Sequence, residues 1–147
     1  MLSLLTTPAP ASAYAAPHHN IDEMIASIED NTRQIYIHAK EKSKIAQKIS
    51  ASLDFLRLSR KYLSREQIES FTNFSNISEQ NSHTLKQVLQ EIDTLQPLDT
   101  VKRELLHNDP DLNLVYVELE SMLRLQRTAL SCLKDVLNSG RAFMMLL

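Results

Sequence analysis

Five histidines, one cysteine and scattered carboxylates are the side chains here that could carry chemistry, and their spacing limits what chemistry is open. His18, His19, His38, His83 and His107 stand in unrelated contexts apart from the first pair. A helical zinc or di-iron site needs ligands one turn apart on one face, and the di-iron type needs its Glu-x-x-His motif twice. Glu104 and His107 supply that motif once, whereas Ile35 and Gln80 stand three places before His38 and His83. We therefore read Glu104 and His107 as a surface capping pair. Cys132 is the only cysteine, which excludes an internal disulfide and a Cys-based metal site. With no His within a helical turn of it, it reads as a small buried or half-buried side chain. There is no Gly-x-Ser-x-Gly, and a chain with a single glycine has no phosphate-cradling loop. Glu118 and Glu120, two apart on a helix, point to different faces and make no acid/base pair. The expectation is a protein without catalytic residues, metal or cofactor, and not an enzyme.

Charge narrows the partners. The formal net charge is −2, and no block is strongly basic. Lys40, Lys42, Lys44 and Lys48 come nearest to a phosphate-binding run, but Glu41 interrupts them and they read as a solvated helix face. No nucleic-acid partner is expected. No stretch reaches 18 apolar residues, so no membrane-spanning helix is expected, and contact with a membrane surface is not favoured. Residues 1–19 carry no Asp, Glu, Lys or Arg, and "AYA" before Ala16 has the look of a signal cleavage site. A secretory signal also wants a positive start and a longer apolar core. We take residues 1–19 as a disordered Ala/Pro-rich tail and the chain as cytoplasmic, with cleavage after Ala15 and an exported or periplasmic protein as the alternative.

The elements that must position these residues are helices. Apolar residues make up 43% of the chain, enough for one core, while a single glycine in 147 residues leaves little for the turns of a β architecture. Asn20 is a good N-cap, with Asp22 and Glu23 in the first turn after it. From there Ile21, Ile25, Ile28, Thr32, Ile35, Ala39, Lys42, Ala46, Ile49, Leu53, Leu56, Arg60 and Leu63 alternate steps of four and three. This is a heptad repeat, in which Thr32, Lys42 and Arg60 break an otherwise apolar seam. A helix over 20–63 would be a rod of roughly 65 Å. "SREQ" from Ser64 to Gln67 is a capping box that opens a second helix over 64–96. Its middle, Ser75 to Thr84, has Ile77 as its only apolar residue, and Pro97 ends it. Asn73 and Asn76 stand in N-x-S sequons, which matter only in a eukaryotic secretory setting. A short helix over 99–107 follows. Asp109 with Pro110 then starts a last helix over 109–138, whose seam is Leu112, Val115, Leu119, Met122, Gln126, Ala129, Leu133 and Val136. Leu123, Leu130 and Leu137 widen this stripe beyond a simple seam. The fold class is all-α: a long heptad-patterned first helix packed with two further helices as an antiparallel, coiled-coil-like bundle over 20–139.

The chain finishes on an apolar run. Gly140 is placed to cap the last helix, leaving 140–147 as a C-terminal tail with Phe143, Met144, Met145, Leu146 and Leu147. That tail can fold back over the bundle end, dock into a partner or a second copy, or lie on a membrane surface. It would bury several hundred Å² if sequestered, and left in water it would invite aggregation. Residues 108–137, "NDPDLNLVYVELESMLRLQRTALSCLKDVL", are similar in layout to the C-terminal helix of needle and inner-rod subunits of bacterial type III secretion systems. The likeness rests on Asp109, Pro110, Lys134, Asp135 and the apolar spacing, and covers about a quarter of the chain. It implies a Pro-containing turn before one amphipathic helix that packs against copies of itself.

The function expected is that of a non-enzymatic helical assembly or adaptor protein that binds a protein partner or itself. Contact is expected at Phe143, Met144, Met145, Leu146 and Leu147, and at the seam breakers Lys42 and Arg60. The alternative is a secreted or periplasmic helical protein, a structural component or substrate of a secretion apparatus.

Overall fold

The structure, a computed structural model, describes residues 10–147, with side chains from Asn20 onward; the expectations for residues 1–9 lie outside the described residues. Four helices follow one another: α1 Pro10–Leu58, α2 Arg65–Thr94, α3 Leu98–Glu104 and α4 Leu112–Met145. There is no strand among the described residues. The three long helices pack into an all-α bundle. α4 lies at its centre, in close backbone approach to both α1 and α2.

The contacts set the helix directions. Near one end, Ile21, Ile25 and Ile28 of α1 form a single cluster with Val115, Leu119 and Met122 of α4, closed by Val101 of α3. Near the other end, Ile45 of α1 and Phe74 of α2 flank Gly140 of α4. Between them, Val88 of α2 meets Leu125 and Ala129 of α4. α1 and α4 therefore run parallel, and α2 runs antiparallel to both. Each fully buried aliphatic or aromatic side chain of these clusters contributes about 1.5–3 kcal/mol through removal from water.

Only part of the residue series expected to line α1 is buried. Ile21, Ile25, Ile28 and Ile49 are buried, whereas Thr32, Ala39 and Ala46 are exposed and His38, Lys42 and Ile45 are half-buried. A stripe of 3.5-residue period drifts by about 20° per heptad around a helix of 3.6 residues per turn unless the helices supercoil. Two polar residues of the facing helices, Thr32 and Gln126, meet. Buried Gln126 donates from Nε2 to the Ile28 carbonyl (3.2 Å) and to Thr32 Oγ1 (3.0 Å), and Thr32 Oγ1 in turn donates to the Ile28 carbonyl (2.8 Å). A buried amide costs free energy unless it is bonded, and the two Nε2 bonds, which tie α4 to α1, offset that cost on the donor side while Gln126 Oε1 has no partner among the described residues.

The helix ends differ from the sequence expectations in five places, four of them on α1 and α4. First, α1 is helical from Pro10, so Asn20 is not its cap and residues 10–19 are not an irregular tail; Ala11, Ala13, Ala15 and Ala16 carry the highest helix propensity. Second, α1 stops at Leu58 rather than near residue 63. Arg60 takes a left-handed φ of 54°, its amide donates to the Arg57 carbonyl, and the Lys61 amide donates to the Leu56 carbonyl. These are the bonds of a Schellman cap, with Arg60 at the position glycine usually holds.

Third, α4 begins after Asp111, not Asp109. The Asp111 carboxylate accepts from the Leu114 amide at 3.1 Å, which leaves Pro110 before the cap. Fourth, α4 does not stop before Gly140 but runs through it to Met145, so residues 140–145 are helix and not a separate tail. α3, at Leu98–Glu104, is shorter at its C-terminus than the span 99–107. α2 is one uninterrupted helix across its polar middle and begins with the expected capping box. There the Ser64 hydroxyl accepts from the Gln67 amide and the Gln67 side chain accepts from the Ser64 amide.

Candidate interaction surface

The apolar C-terminal run divides between core and surface. Because α4 continues past Gly140, Phe143 falls on its inner face and is fully buried, with its ring 5.2 Å from that of Phe71. Met144 and Leu146 are half-buried, and the Leu146 carbonyl accepts a 2.6 Å bond from Gln67 Nε2. Met145 is 86% exposed, and Leu147 is also exposed. The run thus closes the end of the bundle with Phe143 and presents two side chains outward.

Those two are not alone. The C-terminus of α1, the N-terminus of α2 and the C-terminus of α4 share this end, and each leaves apolar side chains in water. Phe55 and Leu58 lie in the last two turns of α1, Tyr62 (93% exposed) in the turn, and Ile68 in the first turn of α2. With Met145 and Leu147 they lie at one end of the bundle. Large exposed apolar groups gathered in one place mark contact sites, whereas single ones are ordinary.

Arg57, Arg60, Lys61 and Arg65, all exposed, lie beside these apolar residues in the chain and give this end a basic rim. Arg57 pairs with Asp54 and Arg65 with Glu69, both on the surface where such pairs contribute little. Arg60 and Lys61 make no ion pair among the described residues. The structure therefore puts Arg60 in the rim, through its turn, and not in a helix seam. Lys42 lies elsewhere, half-buried midway along α1.

Phe55, Leu58 and Tyr62 fit no helix seam, so sequence spacing passed over them. Their signal was that same misfit, large apolar residues left off the seam where the chain turns.

Other candidate chemistry stays apart. Among the described residues no group of three or more His, Cys, Asp or Glu could hold a metal ion. The buried Cys132 thiol is pushed above its ordinary pKa by burial and, second, by nearby Asp135, which suits a packing residue rather than a nucleophile. An open groove of about 810 Å³ runs between α1 and α4 beside Met24, Tyr116 and Arg124, and another of about 580 Å³ lies over Thr32, Ile92 and Gln126. No helix among the described residues is long and apolar enough to cross a membrane. No family model matches the chain, and no curated protein or solved structure matches it either.

Proposed function

We propose that this chain is a non-catalytic helical assembly or adaptor subunit that works by protein–protein contact at the apolar end of its bundle. The observation that carries this reading is the gathering of Phe55, Leu58, Tyr62, Ile68, Met145 and Leu147 at one end, on three different helix termini. Methionine and tyrosine suit such a surface, the first by adapting its shape and the second by offering a rigid ring with a polar tip. Their rim of arginine and lysine gives orientation and favours an acidic counterpart.

The test is a photo-activated crosslinker placed at Tyr62 in the full chain, in the cell that makes it, beside a control at Gln87, which is exposed midway along the bundle. The expected outcome is a discrete protein adduct from position 62 and none from position 87. A folded chain that yields no adduct from position 62, nor from Leu58, sinks the reading.

A further inference from the structure

The helix directions sort the charges of this chain in a way its net value hides. A plane across the bundle that cuts α1 after Arg33, α2 after Lys86 and α4 after Leu130 follows the contacts of Gln126 with Thr32 and of Val88 with Ala129. On the side holding α3, residues 20–33 and 87–130 contain twelve Asp and Glu against five Lys and Arg, a formal charge of −7. On the other side, residues 34–86 and 131–147 contain eleven Lys and Arg against six Asp and Glu, a formal +5. A chain of net charge −2 is therefore strongly dipolar along its length.

Helix stabilisation accounts for only part of this. Acidic residues beside the N-terminus of α4, Asp109 and Asp111, complement the positive end of that helix. Glu91 and Asp93 do the opposite. They close α2 at its C-terminus, where the helix dipole favours cations and where α2 has none. Acidic charge has gathered at this end of the bundle against the local preference of one of its helices.

The acidic end also has its own exposed apolar groups. Leu106 lies in the turn after α3, and Leu114 and Val117 in the first two turns of α4, all in water. Each pole thus joins outward apolar side chains to a charge opposite to that of the other pole.

We infer that copies of this chain associate head to tail, the acidic pole of one seated on the basic pole of the next. The inference rests on the protein-contact reading above and names the partner as a second copy. Two-fold pairing of basic ends would bring Arg60 and Lys61 of both copies together, whereas head-to-tail contact opposes them to Asp93, Asp99 and Asp109. Such a contact uses two different surfaces of each copy, so it does not close at a dimer and extends into a row. The end of a three-helix bundle, each helix roughly 10 Å across, offers a few hundred Å², less than the roughly 800 Å² per partner of a stable complex. Association is therefore weak, dependent on concentration, and suppressed by salt once the Debye length falls to a few Å.

Sedimentation analysis of the full chain tests this. At low salt the average mass is expected to climb above 16.8 kDa with concentration and without a plateau at the dimer, and to fall back to the monomer in about 1 M salt. Two variants make the test specific. Arg60→Glu with Lys61→Glu gives a chain with two acidic poles, and Asp93→Lys with Asp109→Lys gives one with two basic poles. All four residues are exposed, and none is a helix-capping side chain. Each variant alone, its helix content verified by circular dichroism, is expected to lose association at least about tenfold, and an equal mixture of the two is expected to regain it.

A wild-type chain that stays monomeric at low salt overturns the inference, as does a closed dimer indifferent to charge reversal or a mixture that fails to recover. A monomer that instead binds anionic phospholipid vesicles through Arg60 and Lys61 also overturns it. Adducts from position 62 with a different protein, beside a monomeric chain in solution, leave the protein-contact reading standing and remove only the second copy.

Discussion

Two points on the same bundle, Gly140 in α4 and Arg60 after α1, have exchanged the residue types that local rules would assign them. Gly140, the only glycine, sits inside a helix, where glycine costs about 1 kcal/mol relative to alanine. Arg60 holds a left-handed turn, where a side chain costs roughly 1–2 kcal/mol. The difference between them is packing. A Cβ built on Gly140 would lie 2.8 Å from Ile45 Cγ2 and 3.1 Å from Phe74 Cε1, so all three long helices converge there only because that carbon is missing. Nothing crowds Arg60, which is exposed, so its backbone cost is offset by the cap it forms and not by any contact of its side chain. Tertiary crowding decides one position and chain reversal the other.

The largest effect that would sharpen this comparison lies one turn beyond the glycine. Phe143→Ala empties the site against Phe71 and is expected to lower stability by about 3–5 kcal/mol, read from urea unfolding. A loss below about 1 kcal/mol would mean that the last turns of α4 do not belong to the core.

Gly140→Ala comes next. Alanine brings better helix propensity, yet the clash with the branched Ile45 side chain is expected to leave the protein about 1–2 kcal/mol less stable. Adding Ile45→Ala should make the double variant more stable than the sum of the single losses by about 1 kcal/mol. Strict additivity would deny the close approach.

The smallest expected change has the opposite sign. Arg60→Gly removes the left-handed strain and should raise stability by about 0.5–1 kcal/mol in the same assay. A neutral or destabilising result would show that the arginine side chain does more in the folded chain than hold its place in the rim.

The same pair shows what could be read from the sequence. Period and capping were legible: Ile21, Ile25 and Ile28, the α4 stripe from Val115 to Val136, and the Ser64–Gln67 box are all where spacing puts them. Those signals are local, set by side-chain type within a few turns. Gly140 was misread as a helix stop because the rule for glycine at helix ends is local too, while its actual reason lies 95 residues away at Ile45. Arg60 was misread as a seam residue because the alternation of four and three carries on past the point where the backbone turns. The outward end residues of the C-terminal run were visible, but Phe55, Leu58 and Tyr62 were not, since only the meeting of three helix termini makes them one surface. The division of charge was equally hidden, because it depends on which helices run parallel.

An odd number of long helices has one more result. With α1 and α4 parallel and α2 returning between them in the chain, Asn20 and Leu147 lie at opposite poles of the bundle. Tension applied between those two points pulls along the helices, and α1 must slide past α4 with the Gln126–Thr32 bond and the Ile45–Gly140 contact strained together. The bundle carries such a load in shear, across its whole length at once, rather than opening like a zip from one end.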